Sequence, residues 1–66
     1  MNFIIRRSRN GYEVALIERT GKRQVYRADF RASHGSLTPS DALELCRVYG
    51  RGLVDNGHNV VDAVRD

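Results

Sequence analysis

Ten arginines and one lysine in 66 residues are the densest chemistry this chain carries. A guanidinium stays charged at all physiological pH and grips phosphate or carboxylate through paired N–H donors, so these side chains suit binding of an anionic partner. Catalysis asks for more: a nucleophile, a base and a group that orients them, all within hydrogen-bond reach. His34 lies in a loop beside Ser33 and Ser36, and His58 follows a helix end. Sequence neighbours in a loop do not make a positioned triad. One cysteine, Cys46, and two separated histidines match no zinc spacing, and Gly50-Arg51-Gly52 lacks the strand-to-helix setting of a phosphate loop. Asp41 and Glu44 fall in the first turn of a helix, where carboxylates complement the macrodipole. The residues therefore predict no catalytic site, no cofactor, no metal and no small-molecule substrate.

The charge is unevenly placed. Residues 1–31 hold eight cationic against three acidic side chains, a net of +5, and residues 32–66 hold three against five, a net of −2. Such asymmetry points the first half at a polyanion or an acidic protein surface; the alternative, solvated arginine, needs no partner. A lone cysteine excludes an intramolecular disulfide and fits a reducing cytoplasm. The sequence shows no signal peptide and no apolar run near the ~20 residues of a membrane span. At 66 residues the chain reads as a single domain, near the lower limit for folding without disulfides, metals or oligomerisation.

The elements that must position these arginines are short strands. Alternation predicts strands over 3–8, 12–19 and 23–30. Asn10-Gly11 marks the first hairpin turn because both residues tolerate positive φ, and Thr20-Gly21-Lys22 forms the second. Phe3, Ile5, Tyr12, Val14, Leu16, Tyr26, Ala28 and Phe30 then share a core face. The open face carries Ile4, Arg6, Arg19, Val25, Arg27 and Arg31 around Ala15 and Ile17, with Arg9, Lys22 and Arg23 at the turns. An apolar centre ringed by arginine is a contact-surface pattern.

After a loop at 33–36, Thr38-Pro39-Ser40-Asp41 is a helix start, with Thr38 as the cap and Pro39 in the first turn. The helix should run over about 39–56 and end at Gly57, covering the sheet with Ala42, Leu45, Cys46, Tyr49, Leu53 and Val54. Gly50 and Gly52 weaken it, and permit close packing on the sheet or mark a kink. Asn59 to Val64 reads as a short second helix capped by Asn59, with Val60, Val61 and Val64 pointing inward. The expected fold is α+β: a three-stranded antiparallel sheet over 1–32, covered on one face by a long helix and a short C-terminal helix over 38–66.

Two resemblances follow from these residues. Tyr12-Glu13-Val14, Glu18-Arg19-Thr20-Gly21-Lys22 and Tyr26-Arg27-Ala28, ahead of a Gly/Ala-bearing helix containing Val48-Tyr49-Gly50, resemble the small ββα-type phage proteins that include several anti-CRISPR inhibitors. That resemblance implies a non-enzymatic inhibitor or accessory protein, acting in the cytoplasm of an infected or lysogenic host by binding a multisubunit defence effector. Asn10-Gly11-Tyr12 and Arg19-Thr20-Gly21-Lys22 resemble the N-terminal DNA-binding domain of phage integrases, related to plant AP2 domains. It implies a small DNA-binding regulator with its sheet in the major groove and Arg19, Lys22, Arg23 and Arg27 as contacts. On either reading the partner-binding candidates are Arg6, Ile17, Arg19, Lys22, Arg23, Val25, Arg27 and Arg31. Stacking of single-stranded bases is not expected, because Tyr12, Tyr26 and Phe30 sort to the core face. A homodimer through Ile4, Ile17 and Val25 is the competing use of that surface.

Overall fold

The alternation Phe3-Ile4-Ile5-Arg6 puts every second side chain on one face of a strand, and the fold is built on that face. The computed structural model describes residues 1–17, 24–30 and 37–65. Within them lie strands β1 (Asn2–Ser8), β2 (Gly11–Leu16) and β3 (Val25–Asp29), helix α1 (Pro39–Asp55) and strand β4 (Asn59–Asp62). The predicted second turn, the loop at 33–36 and the site candidates Arg19, Lys22, Arg23 and Arg31 lie outside the described residues.

The sheet has four strands in the order β3-β2-β1-β4. β1 pairs antiparallel with β2 and β2 antiparallel with β3, as the hairpin signals predict. β4 pairs parallel with β1, Phe3 opposite Val60 and Ile4 opposite Val61. β3 and β4 therefore run the same way on opposite edges, and α1 carries the chain across the sheet from one to the other, setting β4 parallel beside β1.

β4 overturns the expected second helix, and with it the division into a sheet half and a purely helical half. Val60, Val61 and Val64 do fit a helical spacing, but three β-branched valines also favour strand, and the backbone of β1 was open to them. Asn59 does not cap a helix: its side-chain amide donates to Asn2 Oδ1 at 3.0 Å across the parallel pair. Val60 packs on the core, whereas Val61 points to the other face and is exposed.

The first hairpin also differs in detail. Arg9 and Asn10 form the two-residue connection without positive φ, and Gly11 is the first residue of β2. Its missing side chain serves a different need. A Cβ there would lie 2.0 Å from the Ala28 carbonyl oxygen and 2.8 Å from Asp29 Cα. Only glycine lets β3 come this close, and the Phe30 N–H then donates to the Asn10 carbonyl.

α1 starts as its sequence demands. Thr38 is the N-cap, its hydroxyl accepting from the Asp41 N–H at 3.1 Å, with Pro39 in the first turn. It ends at Gly57, whose φ of +87° is open to glycine at little cost. There the His58 N–H donates to the Leu53 carbonyl at 3.0 Å and the Gly57 N–H to the Val54 carbonyl at 2.9 Å, the paired bonds of a Schellman end.

The core joins Phe3, Ile5, Tyr12, Val14 and Ala28 of the sheet to Ala42, Leu43 and Cys46 of α1, with Leu16, Tyr26, Phe30 and Leu53 packed around them. All eight predicted sheet positions lie in it. Each large side chain so enclosed contributes roughly 1.5–3 kcal/mol. The helix faces the sheet differently than expected: Leu43 and Gly50 are buried, while Leu45, Tyr49 and Val54 are exposed. Gly50 fits this orientation: a Cβ there would come within 3.2 Å of Ile5 Cδ1 and 3.3 Å of Val60 Cγ1, so a glycine lets the helix lie close over these two side chains. Burial first, and the charge of Glu13 last, push the Cys46 thiol above its ordinary value against a hydrogen bond involving the Ala28 backbone, which keeps it a neutral core group.

Candidate functional site: the face of the sheet away from the helix

Four strands in register lay the side chains of the second face out in rows. Val61, Ile4, Ala15 and Val25 form one row across the whole sheet, since Ile4 pairs with both Val61 and Ala15, and Ala15 with Val25. Arg6, Glu13 and Arg27 form the next row. Asn59 and Asn2 border the apolar row on one side, beside Ile17, whose N–H donates to the Asn2 carbonyl at 2.7 Å. Val25, Ile17 and Val61 are all exposed, and no described element packs on this face.

Of the predicted contact residues, the structure thus brings Arg6, Val25 and Arg27 together beside Ile4 and Ala15, with Ile17 at the margin of the apolar row. Two participants were missed. Val61 was assigned to a helix that does not form, and no local signal in its four-residue segment distinguishes the two. Glu13 was legible: alternation puts it on the same strand face as Ala15 and Ile17.

Glu13 changes the character of the face. It is 8% exposed, against its usual place in solvent. Arg6 grips Oε2 with Nε and Nη2, each at 2.9 Å, and Arg27 Nε stands 3.8 Å from Oε1. One carboxylate is thereby shared by two guanidiniums, so the described part of the row carries a net charge of +1 rather than +2. The arginines are held in place, and their outer N–H groups remain available, because both side chains stay more than half exposed.

Beyond this row the face ends in a polar cleft of about 310 Å³ lined by Ser8, Arg9, Asn10, Glu13, Arg27 and Asp29. Ser8 Oγ is buried there without a hydrogen-bond partner among the described residues. The cleft holds as many carboxylates as guanidiniums. On the helix side, Arg7 lies over the Tyr12 ring at 5.6 Å, and His58 meets Phe3 edge-on with ring centroids 5.5 Å apart. His58 is therefore a packing residue at the helix end. Among the described residues no three His, Cys, Asp or Glu side chains converge as metal ligands, and no helix is long and apolar enough to cross a membrane.

Comparison with known proteins adds no relative: no family model, curated protein or solved structure matches the chain.

Proposed function

We propose that this chain acts by binding, as a non-enzymatic inhibitor or accessory protein that sets the face of its sheet away from α1 on a protein partner. The observation that supports this reading is the apolar row Val61-Ile4-Ala15-Val25, exposed at Val61 and Val25, half-buried at Ile4 and buried at Ala15, lying directly beside the Arg6-Glu13-Arg27 row. An apolar centre with an ordered polar rim is how protein contact surfaces are built. A DNA-reading sheet has the opposite need. Its cations must neutralise phosphates, and here a fixed carboxylate stands between the two described arginines and would face the backbone charge. The resemblance to small phage inhibitors supplies the kind of partner, a multisubunit defence effector of the host; the face itself supplies only the chemistry of the surface it fits, an apolar patch with an anionic border.

Co-purification with the host's effector complexes, compared between wild type and two single variants, tests the reading. Val25→Glu puts a charge into the apolar row and should abolish the complex, while Ser40→Glu, at an exposed position in the first turn of α1, should leave its yield unchanged. Equal yield with Val25→Glu sinks the proposal. A gel shift at low salt that weakens by orders of magnitude at moderate salt would favour the DNA regulator instead.

A further inference from the structure

Helix α1 carries one stripe that its own chain leaves in solvent. Leu45, Val48 and Tyr49 are 40, 49 and 39% exposed, and with Gly52 they follow the i, i+3, i+4, i+7 spacing of a single helical face. Tyr49 borders the stripe, its ring stacked on Tyr26 at 4.5 Å. Gly52 is the residue that needs a reason. Glycine weakens a helix interior relative to alanine. Gly50, two positions earlier, is accounted for by Ile5 and Val60, but a Cβ on Gly52 would meet nothing within 4 Å. Among the described residues Gly52 makes room for nothing.

The stripe is complementary to itself. Reversing the helix about the point between Val48 and Tyr49 lays Leu45 on Gly52 and Val48 on Tyr49, so the largest aliphatic side chain meets the one position without a side chain. The charges agree. Glu44 and Arg51 share one flank of the stripe, two turns apart, with side chains 64 and 69% exposed and only a 3.6 Å contact between them. The same reversal brings Glu44 of each copy within one turn of Arg51 of the other. We propose that α1 docks antiparallel on α1 of a second copy. Leu45 enters the space beside Gly52 across a two-fold axis, and Glu44 pairs with Arg51 of the other copy on both sides. Such an isologous contact closes on itself as a dimer. Because α1 covers one side of the sheet, the two sheet faces away from it then point outward, and a partner with repeated sites is met bivalently.

Sedimentation equilibrium of the full chain, from micromolar to near-millimolar concentration, reads this directly. The mass should rise from 7.5 kDa towards twice that value. Gly52→Gln extends into open space in the monomer and should hold the mass at the monomer value at every concentration; if that variant does not fold, Val48→Glu on the same stripe is read in its place. Glu44→Arg should weaken the dimer about tenfold or more, by setting like charges opposite each other, and adding Arg51→Glu should restore it. A wild-type mass of 7.5 kDa throughout, a dimer that the stripe variant leaves intact, or a charge swap that fails to restore affinity overturns the proposal. Partner binding through the sheet is scored separately, because the stripe variants leave Val25 and its row untouched.

Discussion

Removing Arg6 should destabilise the protein more than removing the charge it pairs with, and the reason is the inequality of their burial. Glu13 is 8% exposed, whereas the Arg6 side chain is 54% exposed. Arg6→Ala strips Oε2 of both donors at 2.9 Å and leaves the carboxylate only Arg27, 3.8 Å from its other oxygen. A buried acceptor left unsatisfied costs about 1–3 kcal/mol, and more when it is charged. Against the roughly 3–5 kcal/mol that a core of this size supplies, a loss near 2 kcal/mol is close to half the total. At about 4–8 °C per kcal/mol, it should lower Tm by roughly 8–16 °C. Glu13→Gln keeps a carbonyl acceptor at the same place and returns an exposed guanidinium to water, a loss of under about 1 kcal/mol. The sign then reverses in combination: on the Arg6→Ala background, Glu13→Gln removes the orphaned charge and should recover about 1 kcal/mol. Thermal and urea unfolding of the four chains, followed by circular dichroism, closes the cycle. If the double variant is less stable than Arg6→Ala, or if Glu13→Gln alone costs as much as Arg6→Ala, the carboxylate is not held as the geometry requires.

Gly11→Ala should cost about 1–3 kcal/mol, because the added methyl meets backbone at 2.0 and 2.8 Å and β3 must move; urea unfolding measures it, and an unchanged midpoint would mean that β3 does not pack against Gly11. At Asp62, burial alone would raise the carboxyl, but the Arg47 hydrogen bond at 2.8 Å, the Val64 N–H and the Arg47 charge together hold it below its ordinary value. A depressed folded pKa gives stability that is present above the unfolded value near 3.9 and lost as pH falls through the folded one. Asp62→Asn should therefore lower stability modestly at neutral pH, by under about 1 kcal/mol for so exposed a pair, and lose less than wild type on acidification below pH 4; thermal unfolding at each pH measures both, and parallel acid limbs would remove Asp62 from the account.

Most of the sheet was legible because its information is local. Alternation at Phe3/Ile5, Tyr12/Val14 and Tyr26/Ala28 assigns faces without knowing the partner strand, and Thr38-Pro39-Ser40-Asp41 specifies a helix start by hydrogen-bonding chemistry confined to four residues. Where the reading failed, the deciding partner was remote. Asn59 to Asp62 becomes a strand only because β1, 57 positions away along the chain at Asn2, offers it a free edge. The rotation of α1 likewise depends on where Ile5 and Val60 stand relative to Gly50, which helical periodicity does not encode. Gly11 was singled out correctly for the wrong reason: hairpin statistics suggested positive φ, and the neighbouring strand required bareness.

That one remote pairing alters the surface more than it alters the fold class. With a second helix at the C-terminus, Ile4 sits on an edge strand and the apolar residues of the open face form an island among arginines, a pattern that nucleic acid and acidic protein would both accept. Strand β4 makes β1 internal and adds Val61, so the island becomes a continuous row from one edge of the sheet to the other. Glu13 acts on the adjacent row in the same direction by engaging Arg6 and Arg27, which removes part of the positive field that a phosphate backbone would meet. Both corrections shift the balance from charge towards apolar burial. They also separate the two partner classes in one variant: Glu13→Gln frees both guanidiniums, so it should strengthen salt-sensitive binding to a polyanion such as heparin and leave a contact centred on Ile4, Ala15 and Val25 nearly unchanged. If instead Glu13→Gln abolishes the protein complex, the carboxylate itself is part of the contact, and the partner brings a cation to meet it.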